Sequence, residues 1–167
     1  MAKTAPKSTR ATQTLDTAGI RYSLHAYAYD PDARHIGLQA AEALGVAPGR
    51  VLKTLMAAVD GRPVCLLVAS DREVSMKRVA AAFSGKTAAM LKPAEAERLT
   101  GYHVGGISPL GQKRLFPAAI DSGSLGDPGA EIHINGGGRG LQIRLTESDL
   151  VAVLTAKVVP LAASAGP

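Results

Sequence analysis

Apolar residues recur along this chain at two spacings, and the spacing changes where a glycine or a capping residue stands. Residues 20–27 (Ile-Arg-Tyr-Ser-Leu-His-Ala-Tyr) alternate bulky and polar side chains and predict a strand. Residues 50–59, then Asp60-Gly61, then 64–69 predict a hairpin with a short polar turn. Strands are also predicted over 87–91, 115–120, 131–134 and 141–145. Helical spacing covers 9–18, with Ser8 or Thr9 as cap and Gly19 as stop, and 37–44, ending at Gly45. It returns over 75–83 with Ser75 at the N-cap, over 93–99 with Pro93 in the first turn, and over 146–154, where Thr146 and Asp149 form a variant capping box. Asp30-Pro31-Asp32 is a turn, and 121–129 and 135–140 are loops. Strands and helices are interspersed without strict alternation, which predicts an α+β fold around a mixed sheet.

The chain has 167 residues, no internal repeat and no obvious linker, as expected of one domain over 9–162 behind a loose basic tail at 1–8. With no Trp, two Phe and four Tyr, the core has to be built from Val, Leu, Ile and Ala. The net charge of +5 permits an anionic partner, nucleic acid above all, without identifying one. Lys3, Lys7, Arg10, Lys113, Arg114 and Arg139 are candidate phosphate contacts, or simply solvated charges. The single cysteine, Cys65, excludes an internal disulfide and suits a reducing cytoplasm. It lies in the apolar run Pro63-Val-Cys-Leu-Leu-Val-Ala69, and reads as a core residue rather than a nucleophile. No apolar run is long enough to span a membrane, and the basic N-terminus lacks the apolar segment of a secretory signal.

Chemistry concentrates in residues 100–113, Thr-Gly-Tyr-His-Val-Gly-Gly-Ile-Ser-Pro-Leu-Gly-Gln-Lys. This segment has neither period and is costly to order, because glycine loses the most backbone freedom on folding. Its Gly105-x-x-x-Pro109 spacing suits close approach of backbone N–H groups to a ligand, although a plain surface loop has the same look. Lys53 is out of place among Val51, Leu52, Leu55 and Met56. It is either an exposed lysine on the outer face of a half-buried strand or an inward ammonium for an anionic or carbonyl group. His25 and Tyr27 share one face of their strand. The four histidines are scattered without ligand spacing, which argues against zinc. The glycine run at 136–140 lacks a P-loop ending, and there is no Gly-x-Ser-x-Gly elbow, so a nucleophile–base hydrolase is poorly supported.

Taken in order, Leu24-His-Ala-Tyr27 with Asp30-Pro31, Val51-Leu-Lys-Thr-Leu55, the 100–113 segment and Gly136-Gly-Gly-Arg-Gly-Leu141 resemble the YbaK-type aminoacyl-tRNA deacylases. That superfamily includes the editing insertion domain of bacterial prolyl-tRNA synthetase. The resemblance spans about residues 11–160. It implies a single domain with a mixed, mostly antiparallel, barrel-like sheet flanked by helices, a cytoplasmic location, and no cofactor or metal. It further implies removal of mischarged cysteine from tRNA(Pro), and a complex with prolyl-tRNA synthetase as a further partner. In this family the cysteine thiol attacks its own ester and leaves as a cyclic thiolactone. Such a site needs orientation and charge stabilisation rather than a triad.

By position, Lys53 matches the family's functional lysine, with Thr54 beside it and Tyr27 lining the pocket. Gly105 and Gly106 match the catalytic glycine loop, continued by Ile107, Ser108 and Pro109. Gly136 and Gly137 match the second loop at the rim. Three positions depart from the pattern: Asn135 where relatives often have Ser, Gln142 where many have Asp, and Ile36 where Phe is common. These bear on which amino acid is preferred. Editing of another pair, such as Ala-tRNA(Pro) by water attack, and a non-catalytic nucleotide- or synthetase-binding module are the competing readings.

Overall fold

The structure, a computed structural model, describes residues 8–32 and 35–163. The N-terminal tail expected at 1–8 therefore lies almost wholly outside the described residues. Helix α1 (Arg10–Ala18) is capped by Thr9, whose hydroxyl accepts the Thr12 N–H at 3.1 Å while the Thr12 hydroxyl accepts the Thr9 N–H at 2.8 Å. Strand β1 is Ser23–Ala26 and helix α2 is Ile36–Leu44. The long hairpin is β2 (Leu52–Val59) and β3 (Arg62–Ala69), turned by Asp60 and Gly61, both at positive φ. Helix α3 (Met76–Ala82), strand β4 (Ala88–Met90), helix α4 (Pro93–Thr100) and strand β5 (Ala118–Asp121) follow. The chain continues with β6 (Glu131–Asn135), β7 (Leu141–Thr146), α5 (Glu147–Leu154) and β8 (Lys157–Val159).

Two sheets result, a five-stranded one ordered β4-β2-β3-β5-β8 and a three-stranded one ordered β1-β7-β6. Every pairing is antiparallel except β3–β5 and β5–β8. The sheets meet at one bridge, Val51 to His133, and do not close into a barrel. Their facing sides supply Leu52, Met56, Leu67 and Ile120 from one sheet and Ile132, Ile134, Ile143 and Leu145 from the other, with Leu15 of α1 and Leu150 of α5 completing the core. A second cluster, Ala57, Val64, Leu66, Val79 and Leu161, fills the space on the other side of the large sheet under α3. Strand β3 is thus buried on both faces, which is why its sequence is a continuous apolar run without alternation.

The predicted elements recur in the predicted order, with local corrections. Strand β1 is shorter than 20–27, and residues 48–50 form a 3-10 turn before β2. The strand expected from Leu115 begins at Ala118, and Leu115 is 99% exposed. Residues 122–124 make a 3-10 turn within the expected loop, and β8 has no counterpart in the sequence reading. Leu67→Ala, in the most enclosed strand, is expected to cost about 2–5 kcal/mol in urea denaturation. Leu115→Ala is expected to stay within about 0.5 kcal/mol of the parent protein.

Candidate functional site

Strand β2 bonds to β3 along its whole length, but β4 covers its other edge only at Ala57, Ala58 and Val59. Residues 53–55 therefore border an open notch rather than a strand. A cavity of about 280 Å³ lies there, with residues 51–55 as one wall. The N-terminus of α2 forms a second wall through Ile36 and Gly37, with His35 just before it. Val104, Gly105 and Ile107 of the first glycine loop, and Asn135 and Gln142 of the small sheet, close it.

Lys53 answers neither reading of its strand position in full. Its side chain is 20% exposed, lines the cavity, and places Nζ 3.3 Å from Oε1 of Glu73, a carboxylate that is 77% exposed. Such a solvent-facing pair is weak, so the ammonium can exchange Glu73 for another anion at little cost. The Thr54 hydroxyl and the Gln142 side-chain carbonyl are buried and have no hydrogen-bond partner among the described residues. Ser70 also lines the cavity, but its hydroxyl is committed to the Val51 carbonyl at 2.7 Å. A Cβ on Gly37 would collide with Ser70, so only glycine lets α2 approach this close.

The glycine loop is held by several bonds along its length. The Tyr102 hydroxyl donates to the Leu110 carbonyl at 2.6 Å, the Val104 N–H to Glu97 at 2.8 Å, and the Gly106 N–H to the His103 carbonyl at 2.8 Å. Gly105 has φ +90°, and the Tyr29 ring fills the space a side chain would need. Arg139 donates from Nε to the Val104 carbonyl at 2.9 Å and lies over the Tyr29 ring. The Asn135 carboxamide joins the two glycine loops, donating from Nδ2 to the Gly105 carbonyl at 3.1 Å and accepting the Gly137 N–H at 2.8 Å.

Of the residues expected at the site, Ile36, Lys53, Thr54, Gly105, Ile107, Asn135 and Gln142 line the cavity. Tyr27 does not: it packs behind Val51 against Ala40 and Ala41, with its phenol pKa raised by burial. Gly106 lies behind Gly105 against the backbone of Gly138 and Arg139. Ser108 and Pro109 are buried beneath the loop, the Ser108 hydroxyl accepting the Leu110 N–H at 3.2 Å. Gly136 and Gly137 sit against Leu141 and Tyr102 and do not reach the lining. Gly37, Ser70, Val104, His35 and the strand residues Val51, Leu52 and Leu55 were missed. The crossing of α2 over the end of β3 brings in the first two, and nothing in the local sequence signals it. Cys65 is buried in the main core, and burial pushes its thiol up to about 12. Among the candidate phosphate contacts, Arg10 and Lys113 both flank Gly101.

Beside the cavity, His25, Gln142 and Asn135 are register partners across the small sheet. His25 and His133 meet edge to face with ring centroids 5.4 Å apart. His133 is 4% exposed, and burial first, then the neighbouring His25 and Arg144, lower its pKa to about 4. His25 is lowered for the same leading reason.

Comparison with known proteins gives one family. Residues 30–152 match the model described as the aminoacyl-tRNA editing domain. An Enterococcus faecalis protein named as a candidate Cys-tRNA(Pro)/Cys-tRNA(Cys) deacylase, EbsC, is 29% identical over 153 residues, covering 90% of this chain and 91% of that one. A proline–tRNA ligase of Acidithiobacillus ferrooxidans is 31% identical over 96 residues, which are 58% of this chain and 17% of the ligase. A solved structure described as a candidate trans-editing enzyme for prolyl-tRNA synthetase superposes with TM-score 0.77 at 25% identity, covering 93% of this chain and 96% of that one.

The buried histidine gives the fold a pH dependence. Its pKa is near 4 in the native protein against an ordinary 6.5, so the unfolded chain binds the extra proton between those values. Stability is expected to fall as pH drops from about 6.5 to about 4, by up to about 3 kcal/mol from this group. Denaturation midpoints measured at pH 7, 5.5 and 4.5 should show the loss, and His133→Gln should flatten it. An unchanged slope in the variant would exclude His133 as the cause.

Proposed function

The chain belongs to the aminoacyl-tRNA editing domain family, and from that membership we propose that it is a trans-acting deacylase that removes cysteine mischarged onto tRNA(Pro). The observation that carries this reading is the meeting of Lys53, Thr54, Gly105 and Gln142 in one small cavity in which, among the described residues, no lining hydroxyl is hydrogen-bonded to a base. The Ser70 hydroxyl is tied to a backbone carbonyl, and the Thr54 hydroxyl has no hydrogen-bond partner among the described residues. A substrate that brings its own nucleophile fits such a site. The nearly full-length likeness to EbsC, named for Cys-tRNA substrates, supports the same choice.

In this mechanism Lys53 leaves Glu73 and anchors the 3′-terminal phosphate or ribose by a charge-assisted hydrogen bond. Ile36, Val51, Leu55 and Ile107 enclose the small side chain. Gln142 and Thr54 supply polar contacts to the amino group and the ribose. Gly105, which lines the cavity, borders the ester carbonyl, and the Gly106 N–H, already donated to the His103 carbonyl, does not donate to it. The cysteine sulfur then bonds to its own carbonyl carbon and the bond from that carbon to the ribose oxygen breaks. The thiol proton ends on that oxygen, and the products are intact tRNA and a cyclic thiolactone. The lining does this by holding the thiol against the carbonyl. No helix among the described residues is long and apolar enough to cross a membrane. We read the protein as cytoplasmic, acting on free aminoacyl-tRNA or beside prolyl-tRNA synthetase.

The test is ester loss from Cys-tRNA(Pro), Ala-tRNA(Pro) and Pro-tRNA(Pro) in parallel, with product analysis. Catalytic loss of cysteine with thiolactone formed is expected. Loss of alanine alone, without thiolactone, would mean a pocket retuned at Ile36 and Gln142 toward water attack. No turnover of any aminoacyl-tRNA would favour a binding module. Lys53→Ala is expected to lower kcat/KM by about 10–100-fold with the circular dichroism spectrum unchanged. Undiminished activity would remove Lys53 from the mechanism.

A further inference from the structure

We infer that Asn135 acts as a positioning residue, setting where Gly105 stands in the cavity by clamping the two glycine loops together. This rests on the deacylase reading of the pocket. The residue was expected to contact substrate, and it does line the cavity, yet both ends of its carboxamide are engaged. Nδ2 donates to the Gly105 carbonyl at 3.1 Å and Oδ1 accepts the Gly137 N–H at 2.8 Å. The two bonds fix the plane of the carboxamide in a residue that is 8% exposed.

The two loops differ in how firmly they are held from elsewhere. Loop 136–140 is anchored on its far side: the Thr9 hydroxyl at the cap of α1 donates to the Gly136 carbonyl at 2.6 Å, and the Tyr102 ring packs against Gly137. Asn135 itself ends β6, and its backbone is fixed in register with Gln142. The first loop is tied at Val104, by Glu97 and by Arg139 of the second loop, and at Gly106, on either side of Gly105. At Gly105 itself the backbone bond, among the described residues, is the one from Asn135. Thr9, Gly136, Asn135 and Gly105 thus form a relay from the first helix to the carbonyl-binding edge of the cavity. A displacement of about 1 Å at such a point is enough to cost a large factor in rate.

Asn135→Asp separates this role from substrate contact. The carboxylate keeps the acceptor for the Gly137 N–H but cannot donate to the Gly105 carbonyl, whereas Asn135→Ala loses both. On Cys-tRNA(Pro), both variants are expected to lose about 10–100-fold in kcat, with KM within about 3-fold of the parent. Hydrogen exchange at the Gly137 amide should be protected in the parent protein and in Asn135→Asp, and fast in Asn135→Ala. A raised KM with unchanged kcat would overturn the proposal in favour of direct substrate contact, and so would an unprotected Gly137 amide in the parent protein. If the parent protein deacylates no substrate, the deacylase reading fails, while exchange at the Gly106 amide, in the same peptide group as the clamped Gly105 carbonyl, still decides the clamp: faster exchange in Asn135→Asp than in the parent protein supports it, and an unchanged rate overturns it.

Discussion

The pocket depends on the point where the two sheets touch, the bridge between Val51 and His133. Elsewhere the sheets are separated by packed side chains, so this contact fixes how the small sheet sits on the large one. The Val51 carbonyl also receives both the N–H and the hydroxyl of Ser70, at 2.8 and 2.7 Å, which ties the start of β2 to the end of β3. From that knot β2 runs into the open notch, bringing Lys53 and Thr54 to one wall. On the other strand, Asn135 stands two residues beyond His133 on the same face and reaches the opposite wall. Moving the bridge by one residue along either strand would turn that strand's side chains away from the pocket.

Polar burial around this point is balanced by two different means. His133 lies deep and unprotonated, which avoids the cost of burying a cation. Asp121 remains ionised: burial pushes its pKa up, but the N–H groups of Leu161 and Ala162, the Ser124 hydroxyl and Arg72 outweigh that and hold it below the usual value. The outcome reaches the pocket. Asp121 holds the segment after β8, which in turn pairs with Glu73 and Ser75 through the Ala163 N–H at 2.7 Å and the Leu161 carbonyl at 2.8 Å. Glu73, the partner of Lys53, is therefore placed by the pairing of residues 161–163 with residues 73–75.

Most elements were legible because their ends carry local chemistry. Thr9, Ser75 and Thr146 cap their helices as their sequence neighbours suggest, and Gly19, Gly45 and Gly101 end theirs at positive φ. What was not legible depends on long-range packing. Strand β8 is three residues long and exists because β5 offers it a parallel edge, a fact absent from residues 157–159 themselves. Leu115 has strand-like neighbours, but pairing with β3 begins only at Ala118, opposite Cys65. At the site, the alternation rule could not resolve Lys53, because at an unpaired strand edge consecutive residues all border the same space. Tyr27 was misplaced for a related reason. The chain leaves β1 at Ala26, and the ring turns under α2 instead of continuing the polar row of His25.

Under the proposed mechanism, a site that relies on the substrate's own nucleophile needs this much built structure. A triad localises part of the catalytic power in side chains that themselves react. Where the substrate carries the attacking atom, the protein's whole contribution is the geometry in which that atom meets the carbonyl, together with fixed dipoles around the leaving oxygen. Every wall of the cavity is accordingly set by something rigid. Gly37 lets α2 pack directly on Ser70, Tyr29 occupies the space beside Gly105, and Asn135 spans the two glycine loops. The exception is Lys53, on a flexible stem against an exposed carboxylate. A mobile charge at the mouth and rigid walls within suit a ligand whose polyanionic part arrives first and whose small acyl group must then be held still.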